Sequence, residues 1–465
     1  MRSPEASGIA RAPLSPLLAK ELAEIVSGRA LWAMLLLVCP LVGYSFVQAV
    51  SLYGEASLGA EASPVLARSL SPFDGVLVPS FGAFYVAVTL LFPFVAIRVL
   101  GQEKESGALR LLVQLPYRPS VLIGAKLAAV AAAWVLCSVP ALSALIVWRL
   151  LGGHLAPAET LTLLFGHLLY GLLVGAIALF AAALTESAAT AAILALAVTI
   201  GSWVLDFTLA GRPGLLAWLA QLSLTQVLHA FEQGLLSASL VLGISAAIAG
   251  LAVLTSVWLP PGVALRVKLT RSVACIAATA AVIAAASQIR VAIDVTEDGR
   301  NSFSPADERL LASLAMPLTA TVRLAPEDPR YVDLQRAIFS KLARVMPHFT
   351  VRLASPHAFA ASGNDESYGE IEYAYGARRD VSRSTSPREI LPLIYGLADL
   401  PPPAAAPGDD YPGYPLAASA APALPWFFGA LPLLILVGWF LVRRPPRIDS
   451  VLILQQAKED SHGNG

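Results

Sequence analysis

Gln102-Glu-Lys-Glu-Ser-Gly-Ala-Leu-Arg-Leu-Leu-Val-Gln-Leu-Pro-Tyr-Arg-Pro119, followed closely by Gly124-Ala-Lys126, is a charged stretch between two long apolar runs. A segment so rich in charge belongs outside hydrocarbon, because a charged side chain at mid-bilayer costs several kcal/mol. Leu109, Leu112 and Val113 recur at helical spacing within it, so the stretch predicts a short amphipathic helix pressed against another protein at the inner membrane face.

The rest of the chain explains why that stretch stands out. The 465 residues are 56% hydrophobic and 14% charged, with no net formal charge. Mean hydropathy is +0.67. A soluble domain carries roughly 25% charged residues, so much of this chain is expected to face lipid. Zero net charge gives no electrostatic case for nucleic acid. Cys39, Cys137 and Cys275 each fall within an apolar run and form no Cys-x-x-Cys pair, which argues against metal or redox work. Arg2, Glu5, Arg11, Lys20, Glu21, Glu24 and Arg29 precede the first apolar run, unlike a secretory signal.

A bilayer core of about 30 Å takes roughly 20 apolar helical residues. Eight stretches meet that length: Ala30–Val50, Phe81–Leu100, Leu127–Leu150, Leu161–Leu184, Ala188–Ala210, Ser237–Leu259, Ser272–Ile289 and Leu424–Val442. Lys and Arg gather before the first, after the second, after the sixth and after the eighth, while the short loops on the other side hold only Arg68, in the first, and Arg212, in the fifth. The positive-inside rule then puts both termini and the charged loop in the cytoplasm and the segment between spans seven and eight outside. Ahead of the first span, Leu14, Leu17, Leu18, Leu22, Ile25 and Val26 alternate with Lys20, Glu21 and Glu24. That pattern predicts a helix lying in the membrane interface, with Leu18, Leu22 and Ile25 on its apolar face.

Between spans seven and eight the chain turns polar. Thr319–Leu324, Phe349–Leu353 and Glu370–Tyr375 read as strands, Tyr331–Val345 and Pro387–Tyr395 as helices. A β-α-β-β-α order predicts a small α/β layer with a thioredoxin-like core. Residues 399–421, with Pro401-Pro-Pro403, predict a semi-extended tether that could span several tens of ångströms at about 3 Å per residue.

No Gly-x-x-x-x-Gly-Lys-Ser/Thr, His-Glu-x-x-His or Gly-x-Ser-x-Gly occurs, so the chain has no phosphate cradle and no recognisable hydrolase centre. No enzyme activity and no cofactor are expected. His167 and Asp206 are the ionisable side chains nearest a transport pathway. A packing histidine and a headgroup-facing aspartate are the competing readings.

Lys20-Glu-Leu, Ser27-Gly-Arg-Ala-Leu-Trp32, Glu103-Lys-Glu-Ser-Gly-Ala-Leu-Arg-Leu-Leu112, Leu115-Pro-Tyr-Arg118 and Gly124-Ala-Lys126 together resemble the ABC-2 type permeases. That resemblance implies a six-span bundle, an interfacial helix before it, and a coupling helix at about 102–115 that docks on a separate ATPase. The ATPase-coupling role falls on Glu103, Glu105, Gly107, Leu109 and Leu112. Leu222-Ser-Leu224 with His229, Phe231 and Gly234 is similar to the re-entrant region of the gliding-motility-type branch. Asp294-Val-Thr-Glu-Asp-Gly-Arg-Asn-Ser-Phe-Ser-Pro305 and Tyr368–Tyr373 resemble the auxiliary component of those systems, in a shortened form.

The expected layout is an interfacial helix at 1–29, a permease at 30–264 and a cytoplasmic loop with the seventh span at 265–290. An extracytoplasmic α/β domain follows at 291–398, then a tether at 399–422, the eighth span at 423–443 and a cytoplasmic tail at 444–465. The resemblance implies a bacterial inner-membrane exporter subunit with an ABC ATPase, a second permease copy and the lipid bilayer as partners, and no nucleic acid. The alternative is an assembly or mechanotransmission subunit that moves its outer domain without conducting cargo.

Overall fold

The computed structural model describes residues 14–60, 63–114, 117–209, 223–289, 291–325, 328–354, 367–403 and 411–443. The chain is mostly helical. Among the described residues, eight helices are long and apolar enough to cross a membrane: Arg29–Ala60, Phe73–Glu105, Pro119–Leu150, Pro157–Leu184, Ala188–Leu205, Ala238–Trp258, Leu265–Ala286 and Ala421–Arg443. As candidate spans they are numbered one to eight in chain order. Helix is the form that satisfies every backbone N–H and C=O within one segment, as hydrocarbon requires.

Several spans outrun their apolar stretches. Span one continues to Ala60 and span two to Glu105, so Gln102-Glu-Lys-Glu105 is the last turn of span two. Glu, Lys and Gln are good helix formers, and polarity alone does not end a helix. Gly107 ends it: at φ 77° it occupies the left-handed region, and the loop helix proper is only Ala108–Leu112. Span seven likewise begins at Leu265 and takes Arg266, Lys268 and Arg271 into its first turns.

Spans two and four are the most enclosed, spans seven and eight the least. The helix Leu14–Ser27 packs its apolar face against this bundle: Leu17 and Ile25 are buried, and Leu18 and Leu22 lean on the same core. Close approach of spans three and four depends on Gly175, where an added Cβ would collide with Val130. Span eight returns to span one, its Phe427 ring 5.5 Å from Phe46.

The polar segment forms a second, separate core. Strands β1 (Leu235–Ser237) and β2 (Ala292–Asp294) pair antiparallel just outside spans six and seven. Beyond them, β3 (Leu318–Val322), β4 (Phe349–Leu353), β5 (Ile371–Tyr375) and β6 (Arg378–Ser382) make one sheet in the order β4-β3-β5-β6. β3 and β4 run parallel; β3–β5 and β5–β6 run antiparallel. The parallel pair needs a crossover, which the helical segments between Pro329 and Val345 supply. β3 and β5 bury alternate residues, among them Ala320, Val322, Ile371 and Tyr373, against Ile338, Leu342 and Ile394.

Strand β6 and the helix Pro305–Ala312 carry no sequence signal of the strand or helix periods used above. Arg378-Arg-Asp-Val-Ser382 is exposed on both faces but for its last residue, and pairing with β5 alone makes it a strand. The tether differs from expectation in its described part. Tyr414 N donates to Leu70 O at 3.2 Å, Tyr53 Oη to Tyr414 O at 2.7 Å, and Leu416 N to Ser57 Oγ at 2.9 Å. That stretch is therefore bound to the far end of span one and the loop after it, because two hydroxyls and one carbonyl there satisfy its backbone.

Candidate functional site

Three segments far apart in sequence meet at one end of the bundle. Lys126 Nζ lies 2.7 Å from Glu103 Oε2 and 2.9 Å from Glu21 Oε1, and it donates to Val99 O at 2.8 Å. Lys20 pairs with the Glu103 carboxylate and sits 3.2 Å from Glu24. Lys126 and Glu21 are fully buried and Glu103 is 3% exposed. Two ammonium groups thus balance two buried carboxylates. Such an arrangement persists only as a set, since removing one partner strands a buried charge at a cost of about 3–5 kcal/mol. Burial pushes the Glu21 carboxyl up from its ordinary range, and Lys126 pulls it back. Oxygens of Glu21, Glu24 and Glu103 lie within 4.8 Å of one another, a spacing open to a cation, but the lysines already neutralise them.

Lys104, one residue on, reaches the other way. Its Nζ donates to the carbonyls of Ala182, Ala183 and Thr185 at 2.6, 2.7 and 2.9 Å. These are the acceptors left open at the C-terminal end of span four, where a cation also suits the helix dipole. The end of span two is therefore fastened to the helix Leu14–Ser27, span three and span four at once.

The loop helix turns its apolar stripe inward. Leu109 is buried and Val113 packs on the main core, with Leu112 half-buried. Expectation had that stripe facing a partner. The amphipathic helix instead uses it to seat itself on the bundle, the nearest apolar surface. What faces outward is Glu105, Arg110, Gln114 and Leu111, the last 68% exposed. Glu103, expected at a docking surface, is an internal ion-pair partner.

His167 sits in span four with its ring 5.1 Å from Phe81 and 6.0 Å from Phe84, 1% exposed. Its Nε2 lies 3.7 Å from Glu232, on the helix Leu224–Glu232. Asp206 belongs to the helix of span five, but its side chain lies outside the described residues, as does Leu222. Near His167 the interior has a hydrogen-bonded set. Thr89 Oγ1 and Tyr170 Oη are 2.7 Å apart, Tyr85 Oη and Thr225 Oγ1 3.0 Å, and Thr199 Oγ1 donates to Thr89 O at 3.5 Å.

A second polar cluster occupies the far end. Asp294 accepts from Ser302 Oγ and Thr296 Oγ1, both at 2.6 Å, and from Asn301 N at 3.0 Å. Burial pushes its carboxyl up, but these donors outweigh it and hold the group below its usual range. Arg300 pairs with Asp74, with Asp298 at 2.9 Å and with Glu159 at 3.6 Å, and donates to Ser71 Oγ at 3.1 Å. Glu159 Oε1 accepts from Glu297 N at 2.9 Å, and Asn301 Nδ2 donates to Gln233 O at 2.7 Å. The segment 294–302 is thus bound to the N-terminal ends of spans two and four.

Sequence reasoning set Lys126 in a loop and gave no role to Lys104, Asp74 or Glu159. A lone lysine inside Val121–Cys137 was the available signal, because an unpaired charge there is untenable. Nothing in the sequence names the partners.

Residues 15–233 match the model of the family described as ABC-2 family transporter protein. No curated protein matches the chain. Residues 15–233 are therefore similar to an ABC-2 transporter domain, and this match together with several helices apolar enough to cross a membrane supports a multi-pass membrane protein.

Proposed function

We propose that this chain, with its ABC-2 transporter domain, is the permease subunit of an ATP-driven exporter whose ATPase is a separate protein. One observation carries the reading: Lys20 and Glu21, Glu103, and Lys126 converge in one buried ion cluster that holds a small exposed loop rigidly at a bundle end. Force applied at Ser106–Gln114 would pass directly into span two, and through Lys104 into span four. In this reading Glu105, Arg110 and Leu111 touch the ATPase, Gly107 shapes the loop, Leu109 and Leu112 seat it, and Glu103 positions it. That end is cytoplasmic, by the distribution of Lys and Arg, in a bacterial inner membrane. A second permease copy completes the pathway, and the lipid bilayer surrounds it.

The polar segment 291–398 then lies outside as a shortened auxiliary domain of the gliding-motility type. The order β4-β3-β5-β6, one parallel pair and two antiparallel pairs, supports a thioredoxin-like core. The test is co-purification and ATPase stimulation with the candidate ATPase. Arg110→Glu with Leu111→Asp, both exposed, should abolish association without loss of folded permease. Unchanged stimulation in that double variant would end the docking assignment. For sidedness, Ala343→Cys, on an exposed position of the polar segment, should react with an impermeant thiol reagent in intact cells.

A second reading is favoured by the far cluster. Segment 294–302 is fixed to spans two and four, the same two helices that Lys104 joins at the loop end. A stroke entering at the loop would move the outer domain whether or not cargo passes. Reconstituted vesicles that hydrolyse ATP and change the accessibility of Ala343→Cys, yet move no solute, would favour this mechanical role.

A further inference from the structure

The α/β unit has an open cleft of about 600 Å³ where the chain enters the unit, leaves it and meets its last helix, Pro387–Leu397. Its walls combine an apolar side, Phe303, Tyr395 and Pro402, with Lys341, Arg388 and Ser386. Lys341 is the unusual member. It is 8% exposed, and its Nζ donates to Ser302 O at 3.0 Å and lies 5.4 Å over the Phe303 ring. No carboxylate among the described residues comes within 4.0 Å of it. An ammonium carries three donors, so two remain for another acceptor. Arg388 also lines the cleft and has no ion-pair or hydrogen-bond partner among the described residues. The acids nearby are already engaged: Asp298 with Arg300 at 2.9 Å, Asp307 with Tyr395 Oη and Ser304 Oγ, both at 2.6 Å. Burial pushes the Lys341 pKa down in spite of the more distant Asp294, Asp298 and Glu308, which is the mark of a cation lacking a close counter-charge.

We propose that this cleft binds a small organic anion, its carboxylate or phosphate between Lys341 and Arg388 and its apolar body against Phe303, Tyr395 and Pro402. An anion there supplies the counter-charge that a buried ammonium needs. The cleft also touches Asp298, which holds Arg300 in the cluster joining this unit to spans two and four, so occupancy would be felt at that junction. The inference holds for either sidedness of the unit and does not depend on the permease reading.

The full-length protein in lipid nanodiscs is titrated with phenyl phosphate, with benzoate, and with benzyl alcohol as the neutral control, and binding is followed by saturation-transfer NMR. At least one of the two anions should bind, and the better one tells phosphate from carboxylate. Arg388→Ala, a change at an exposed side chain, should weaken it about tenfold, the scale of one hydrogen bond to a charged group. Arg388→Lys should restore part of that loss, and Lys341→Met should remove binding. Should Lys341→Met lower the yield of folded protein, the two Arg388 variants decide. Equal binding of benzyl alcohol, anion binding unchanged in the Arg388 and Lys341 variants, or no anion binding overturns the proposal.

Discussion

The two polar clusters of this protein solve opposite problems. At the loop end, Glu21, Glu103 and Lys126 are withdrawn from water and pair with one another. At the far end, Arg300 retains 19% exposure, Asp74 54%, and much of the binding is done by backbone amides and hydroxyls. The first is a rigid fastening whose parts cannot be removed singly. The second is a wetter joint whose parts each contribute a little. A device that receives force suits the first; one that passes motion to a separately folded unit suits the second.

The largest effect expected is from Lys126→Met. It leaves Lys20 alone against two buried carboxylates, and should cost about 3–5 kcal/mol, read as a fall in thermal midpoint of the detergent-solubilised protein. Adding Glu103→Gln restores charge balance with Lys20 and Glu21 and should recover part of the loss. If the double variant is additive, the cluster is not a unit. Lys104→Met comes next, at about 2 kcal/mol for hydrogen bonds from a charged donor. Its sharper readout is weakened ATPase stimulation with docking retained.

At the wetter joint, Arg300→Ala should cost roughly 1–2 kcal/mol, between the exposed and buried ranges for ion pairs. Protease release of the α/β unit measures it, and added salt should mimic the substitution there while leaving the loop end unmoved. The smallest effect is a difference in the sign of pH dependence. Asp294 has a depressed folded pKa, so its contribution is full above the ordinary aspartate range and is lost as pH falls through the folded value. Glu21 has a raised one, so its cost is relieved as pH falls through that value. Acid below the ordinary aspartate range should therefore loosen the far joint before the loop end, as pulse proteolysis would detect. Simultaneous release of both would contradict the contrast.

Much of this was legible in the chain. Apolar runs, the periods of β3, β4 and β5, and the charged stretch at 102–119 each reflect a local rule: hydrocarbon needs apolar helix, a half-buried strand alternates, charge stays out of lipid. Those rules placed Leu109 and Leu112 on one face of a helix but left open which surface that face would cover. They gave no hint of β6, because an exposed, mostly charged edge strand owes its form to its neighbour.

By itself the sequence determined the number and course of the apolar helices and the existence of a second, polar core, since both follow from side-chain chemistry read over ten to twenty residues. Only the tertiary structure decided that Lys126, 105 positions from Glu21, would meet it in the dry interior, and that Arg300 would close on Asp74 and Glu159. Charges have no period along a chain. Their partners are chosen by which helix ends the packing brings together, and by the cost of burying any one of them alone.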